Sequence, residues 1–387
     1  MKHARFLTAL LCILLIIPAA FSQEPAKKRA AQTRGLQSES AVTQGLSWLA
    51  RHQNPDGSWG AAAFQDQCQK STCDGAGDDY YDIGLTGLAL LAFTGAGYTP
   101  DSKQTYSNIR FGDVVSRAAD QLISLQLSDG AFGAIKAGYK FNYNQTVATY
   151  ALADIYALTG RDDYKEPLAR AVKYLVQSQN PGQAWRYHPR DGSSDSSVTG
   201  WAFMALKTAD SAGIEVPPEA FDGIRSFFNK VTDPQFGKVG YTTRGSVALM
   251  GHEDPQKTVV QPSLTAIGVL VRLLAEKGAS GPVIDKGVKI IRASPPKWSS
   301  DNAGIIDYYY WFYGSACLYK YDGAQGPIWQ QWNKTVRSVL SSSQKTSKNP
   351  CACGSWDPLD RWSAEASRVY TTAINLLTLE TQNRLGK

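Results

Sequence analysis

Carboxylates and thiols cluster in a few short stretches of this 387-residue chain. Asp78-Asp79-Tyr80-Tyr81-Asp82 has the spacing with which carboxylate oxygens hold magnesium against a diphosphate. The run stands in a Gly-rich loop without a partner acidic motif. Its plain reading is a solvated acidic loop whose last residue, Asp82, caps the next helix. Asp195 and Asp307 also stand just ahead of apolar helical runs. Asp82, Asp195 and Asp307 are weak catalytic candidates. A helix cap accounts for each of them, because the helix dipole favours a carboxylate at that position. Two of them lying about 5 to 10 Å apart across an open cleft would suit glycoside hydrolysis.

Five cysteines follow the first apolar run. Cys68 and Cys73 share one polar loop, Cys351 and Cys353 another, and Cys317 sits in an aromatic run. In an oxidising compartment the four loop cysteines are disulfide candidates. The alternative is a four-sulfur zinc site, for which the spacing is irregular. Cys317 reads as a small core residue. On balance neither a metal nor a cofactor is expected.

The N-terminus reads as an address. Lys2 and Arg5 lead into an apolar run from Phe6 to Ile17, and Pro18 to Ser22 supply a break and small residues before Gln23. Residues 1–22 are expected to be a signal peptide, since the run is shorter than the about 20 apolar residues of a spanning helix. Residues 23–40 are basic and polar and read as a flexible lead-in. No second long apolar run follows, so an exported protein without a transmembrane segment is expected, periplasmic or extracellular and monomeric. The net charge of +6 is spread along the chain, which leaves no basic stripe for nucleic acid.

Repetition organises residues 41–387. Gln53-Asn-Pro-Asp-Gly57-Ser-Trp59, Gln126-Leu-Ser-Asp-Gly130-Ala-Phe132 and Gln179-Asn-Pro-Gly-Gln-Ala-Trp185 are versions of one phrase. Weaker copies end at Tyr241 and Trp298, and Gly354-Ser-Trp356 is a sharp last one. The glycine allows a tight turn and the aromatic packs back as an anchor. Before each turn runs a one-faced helix, such as Val42, Leu46 and Leu49, or Leu168, Val172 and Leu175. After each runs a helix apolar on nearly every side: Ile83 to Phe93, Thr146 to Leu158, Val198 to Leu206, Leu264 to Leu274, Tyr308 to Leu318 and Val369 to Leu379. Six alternations of this kind predict an all-α (α/α)6 toroid, with an outer ring facing water and an inner ring around a central cavity.

The Gln-x-x-x-Gly-x-Trp phrase resembles the repeat of squalene–hopene cyclases and of prenyltransferase β subunits. The resemblance covers about Ala41 to Thr381. Asp195-Ser-Ser-Val-Thr-Gly-Trp201, Tyr308-Tyr-Tyr-Trp-Phe-Tyr-Gly314, Gly354-Ser-Trp-Asp-Pro358 and Arg368-Val-Tyr-Thr-Thr372 resemble exported planctomycete-type members of that family. It implies the terpenoid-cyclase-like toroid but not the chemistry. The Asp-x-Asp-Asp acid of the cyclases does not occur. The zinc pattern of the prenyltransferases has only Asp66-Gln67-Cys68 as a counterpart, misplaced in a loop, with His52, His188 and His252 as the available histidines.

The expected function is therefore binding of an apolar, isoprenoid-like molecule or lipid by Tyr150, Trp201, Tyr309, Tyr310, Trp311, Tyr313 and Tyr370 on the inner helices, through stacking and cation–π contact. That reading assumes that the Tyr308–Tyr313 aromatics cannot all be core. One alternative is a protein-interaction ring like the thioester domains of complement, although Cys-Gly-Glu-Gln does not occur; the other is a carbohydrate-active (α/α)6 enzyme. The loops carrying the paired cysteines are expected to meet where the ring closes, bridges there locking it.

Overall fold

The computed structural model describes residues 40–69, 71–135, 140–249, 262–276, 278–299, 303–346 and 350–386. The expected signal peptide, almost all of the expected lead-in and His252 lie outside the described residues. Thirteen α-helices follow one another among the described residues: α1 Ser40–Arg51, α2 Asp82–Gly95, α3 Phe111–Ser124, α4 Phe141–Thr159, α5 Asp162–Ser178, α6 Ser196–Ser211, α7 Pro218–Val231, α8 Ser263–Ala275, α9 Pro282–Arg292, α10 Tyr308–Asp322, α11 Pro327–Ser343, α12 Ser363–Leu379 and α13 Thr381–Leu385. A two-stranded hairpin, β1 Thr105–Tyr106 with β2 Ile109–Arg110, precedes α3.

The even-numbered helices α2 to α12 pack each on the next, and α12 packs back on α2. The odd-numbered helices α1 to α11 pack outside them. Sequence dictates this sorting. In α9 the buried residues Ile284, Val288 and Ile291 form one stripe, so one face meets the ring and the other meets water. In α10 every residue from Tyr308 to Tyr319 is buried, which only an inner position allows. Most of the aromatic run is thus packed inside the protein, and fewer of its rings are left for open space than the sequence led us to expect. An inner helix has neighbours on nearly every side, so most of six successive aromatics find packing partners around its turn.

The repeat phrase is a joint between consecutive helix pairs. Gln53 Nε2 donates to Gly57 O of its own turn (3.0 Å) and to Val114 O of the next outer helix, α3 (3.0 Å). Gln126 bridges Gly130 O (3.5 Å) and Pro167 O (2.9 Å). Gln179 bridges Gln183 O (2.9 Å) and Ala220 O (3.0 Å). Gln344, which the sequence reading passed over, bridges Gly354 O and Ala41 O, each at 2.8 Å. Because Ala41 lies in α1, the last joint closes on the first helix. The glycine in these turns has two reasons to be there. Gly57 has φ +94°, and a Cβ on it would lie 2.3 Å from Arg117 O; Gly354 has φ +96°, with Gln44 O at 2.2 Å. The anchors Trp59, Trp185 and Trp356 are fully buried and give their indole N–H to Leu49 O, Leu175 O and Leu340 O, at 2.8, 2.9 and 2.8 Å.

The fourth and fifth copies depart from the sequence reading. The fourth turn glycine is Gly237 (φ +73°), and Val239 takes the anchor place. Its N–H donates to Thr265 Oγ1 (3.2 Å), as Trp59 N–H does to Thr86 Oγ1 (3.0 Å) and Trp185 N–H to Thr199 Oγ1 (3.3 Å). Tyr241 lies two residues further on and turns away to another task. Trp298 is half-buried, unlike the other tryptophan anchors. An aromatic side chain marks the other anchors in the sequence, and a β-branched anchor does not carry that mark.

Candidate functional site

The first two turns of all six inner helices converge around a cavity of about 310 Å³. Leu85 and Leu88 of α2, Val147 of α4 and Leu264 of α8 form its apolar wall, and Trp201 of α6, Tyr309 of α10 and Tyr370 of α12 face it with rings. Trp201 is held from behind. Phe312 stacks on it with ring centroids 5.5 Å apart and Tyr313 meets it edge-on at 5.6 Å.

Hydroxyls are threaded through this wall. Tyr143 O–H donates to Ser197 Oγ (2.8 Å), and Ser197 Oγ pairs with Tyr309 Oη (2.7 Å). Tyr241 O–H donates to Asp195 Oδ2 (3.1 Å), and Tyr241 Oη also pairs with Tyr187 Oη (2.8 Å). Across the cavity Glu365 Oε2 accepts from Tyr81 O–H (2.9 Å) and from Lys140 Nζ (3.1 Å). The Lys140 ammonium also stands over the rings of Tyr187 (5.7 Å) and Tyr81 (6.0 Å). Two donors in the lining have no partner: Tyr370 Oη and Trp362 Nε1.

The backbone at Glu365 has an unusual cause. Helix α12 is broken at Ser367, whose φ of +73° and ψ of +179° belong to the region glycine favours. The break lets the loop before α2 dock into it. Asp78 N–H donates to Glu365 O (2.7 Å) and Arg368 N–H to Gly75 O (2.9 Å). The buried Arg368 guanidinium pairs with Asp74 and with Asp357, the latter at 2.8 Å.

Of the seven aromatics expected to bind a guest, Trp201, Tyr309 and Tyr370 line the cavity. The other four are corrected by the geometry of a helix, which turns about 100° per residue and aims one ring in four at a given point. Tyr310 O–H points outward to Ile291 O and Ser294 O, both at 2.9 Å. Trp311 packs edge-on against Tyr308 at 5.3 Å. Tyr313 lies one turn beyond Tyr309, behind Trp201. Tyr150 Oη accepts from Arg384 Nη2 (3.2 Å).

None of Asp82, Asp195 and Asp307 lines the cavity. Asp195 is fully buried and caps α6, its Oδ1 accepting from Ser197 N–H (2.9 Å) and Val198 N–H (2.8 Å). Burial pushes its carboxyl up to about 7 against the pull of these donors. Asp307 caps α10 through Tyr310 N–H (2.8 Å). Asp82 is not the cap expected of it. It is the first residue of α2, and its Oδ1 takes Ala61 N–H from the first repeat turn (2.7 Å). Burial pushes it up to about 6. Asp360, not singled out from sequence, is also buried and accepts from Tyr308 N–H (3.2 Å). Burial, and then the charge of Asp307, push Asp360 up to about 7. Glu365 and Lys140 were missed as well; each is a lone charge in an unremarkable stretch, and only folding brings them together.

The cysteine loops do meet, but not as disulfides: Cys68, Cys73, Cys317, Cys351 and Cys353 are all unbonded. Cys68, Cys73 and Cys351 gather around His52 instead, and Cys353 stays outside that group. His52 is buried, stacked on Trp48 with ring centroids 4.3 Å apart. Burial lowers its basicity to a pKa of about 4, so the imidazole is neutral.

No family model matches the chain, and no curated protein matches it. Solved structures do. An α-1,6-mannanase of Salegentibacter aligns over 94% of this chain and 99% of its own, at 14% identity and TM-score 0.55. A Clostridium perfringens α-amylase aligns over 89% and 98%, at 12% and 0.55. The type II terpene cyclase MstE of Scytonema aligns over 92% and 99%, at 12% and 0.53. At such identities the likeness shows the fold alone: an α/α toroid, rather than the squalene–hopene cyclase family in particular.

Proposed function

We propose that the toroid binds a small, largely apolar guest of isoprenoid type in the cavity between Trp201, Tyr309 and Tyr370, outside the cytoplasm and without cyclising it. The carrying observation is the pair of unpartnered donors, Tyr370 Oη and Trp362 Nε1, set into an aromatic and aliphatic wall. Buried donors without acceptors are costly, so the wall suits a guest with an oxygen beside its apolar body. The volume is at the small end of the about 300–1,000 Å³ of small-molecule sites, which favours a short isoprenoid or a single fused ring over a full triterpene. Against cyclase chemistry, the one carboxylate among the described lining residues, Glu365, is already held by Tyr81 and Lys140.

Organic extraction of the natively purified protein, followed by mass spectrometry, tests this. An oxygen-bearing isoprenoid near one per chain, lost in Trp201→Ala and Tyr309→Ala, supports the reading. A protein that stays empty against a panel of such lipids turns the search to protein partners of the ring.

A carbohydrate-active toroid is the second reading. Two of the similar mannanase structures are inactive variants with two consecutive aspartates replaced. Of this chain's two consecutive pairs, Asp78–Asp79 and Asp162–Asp163, the first is exposed and tied through the Asp78 backbone to Glu365. Release of reducing sugar from an α-mannan, abolished in Glu365→Gln and in Asp79→Asn, would favour it.

A further inference from the structure

The chain carries a second site, on the seam where the last repeat meets the first. We propose that Cys68, Cys73, Cys351 and His52 hold one zinc ion in a closed, tetrahedral, structural site.

The imidazole-to-sulfur distances are those of a coordination shell. His52 Nε2 lies 3.6 Å from Cys68 Sγ, 3.7 Å from Cys73 Sγ and 3.5 Å from Cys351 Sγ. A tetrahedral zinc with Zn–S of about 2.3 Å and Zn–N of about 2.05 Å separates nitrogen from sulfur by about 3.6 Å. All four ligand atoms lie within 4.8 Å of one another. A disulfide would need two of the sulfurs in bonding contact and would leave the third sulfur and the imidazole without a role.

The surroundings are arranged for a metal. His52 Nδ1 lies 2.8 Å from Trp48 O, which fixes the proton on Nδ1 and leaves the Nε2 lone pair facing the sulfurs. Cys73 N–H points at Cys68 Sγ (3.4 Å), the kind of donor that stabilises a thiolate. Trp48 and Phe64 wall the imidazole. On binding, three thiols release their protons, and three thiolates against one divalent cation leave one net negative charge. Arg51, next to His52 in the chain, supplies a positive charge that offsets it, whereas Arg368 is already paired with Asp74 and Asp357. Three soft sulfurs with one imidazole in a tetrahedron select zinc over hard divalent ions. Four protein ligands leave no open position, so the ion is structural rather than catalytic.

Its location explains why a metal is useful. Every neighbouring pair of repeats in the ring is joined by continuous chain except the last and the first. His52 and Cys351, separated by 299 positions, would be tied there directly. The same seam carries Tyr81 and Glu365 into the cavity, but the metal site shares no residue with the cavity lining and stands or falls separately from ligand binding.

The test is metal analysis of the mature protein purified in reducing buffer without chelator. Elemental analysis should find about one zinc per chain, and cobalt exchanged into the protein should show the intense ligand-field bands of tetrahedral cobalt with thiolate charge transfer. Cys351→Ser should lose at least about nine-tenths of the zinc, while Cys353→Ser and Cys317→Ser keep it. Should Cys351→Ser fail to fold, the cobalt spectrum of the unaltered protein and its thiol count decide. Protein with reduced thiols and no stoichiometric zinc, an octahedral cobalt spectrum, iron in place of zinc, or a disulfide among Cys68, Cys73 and Cys351 would each overturn the proposal.

Discussion

Asp78 donates its backbone N–H to the carbonyl of Glu365 at 2.7 Å, so the loop before the first inner helix is stitched to the start of the last one. The stitch depends on Ser367, whose backbone conformation normally costs a non-glycine residue about 1–3 kcal/mol. Ser367→Gly is expected to stabilise the protein by about 1 kcal/mol, measured by denaturant unfolding, since Ser367 Oγ accepts only the local Val369 N–H (3.2 Å). A loss of stability would mean that the break in α12 is not strained.

Tyr370 offers a cleaner probe of the cavity than any truncation. Tyr370→Phe removes a buried hydroxyl that has no partner and keeps the ring. The ligand-free protein should hold or gain stability, by up to about 1 kcal/mol, and affinity for an oxygen-bearing guest should drop by about tenfold. Isothermal titration of both forms checks this. Equal affinities would show that the hydroxyl faces no acceptor.

Gly57→Ala and Gly182→Ala separate the two demands made on turn glycines. Both residues have positive φ, but a Cβ at Gly57 meets Arg117 O at 2.3 Å, whereas one at Gly182 meets nothing within 4 Å. Gly182→Ala should cost about 1 kcal/mol and Gly57→Ala at least about 3. Equal losses by thermal or denaturant unfolding would show that the close approach to α3 does not matter.

The buried carboxyls give an inverted pH response. Asp195 and Asp360 are pushed up to about 7 by burial, well above the value of about 3.9 in an unfolded chain. Between those limits the native state holds protons that the unfolded chain has released. Their contribution is therefore complete below about pH 4 and is lost as pH rises to about 7, with a slope of at most about 1.4 kcal/mol per pH unit per group. Asp357, held below the usual carboxylate range by Lys345 and Arg368 against its burial, works the other way at the acid end. Asp195→Asn should flatten the unfolding midpoint between pH 5 and pH 7 relative to the unaltered protein. An unchanged slope would mean that Asp195 is ionised throughout.

The ring was legible because it is written many times over. Six alternations of one-faced and all-faced helices, with a turn phrase between them, carry the fold in local patterns that a reader can count. Gln53, Gln126 and Gln179 fell to the same pattern, and the cysteine loops were rightly expected to meet. What could not be read was direction and company. The aromatic run of α10 shows that rings are plentiful, but only helix rotation and the neighbours decide that Tyr309 reaches the cavity and Tyr310 does not. Glu365 and Lys140 are 225 positions apart and belong to no motif. His52 is, in the sequence, only one of three available histidines, because its three companions stand 16, 21 and 299 positions away.

The bond from Gln344 to Ala41 spans 303 positions, and it is made by the same side chain, in the same way, as the joints between consecutive repeats. During synthesis each of those inner joints can form as soon as one more helix pair has left the ribosome. The first helix has to wait for nearly the whole chain. Until then the growing protein is an open arc with an unmatched edge at each end, the edges complementary to one another and to those of any second copy nearby. Closing on itself before meeting a neighbour is thus a kinetic demand that this architecture places on every molecule made.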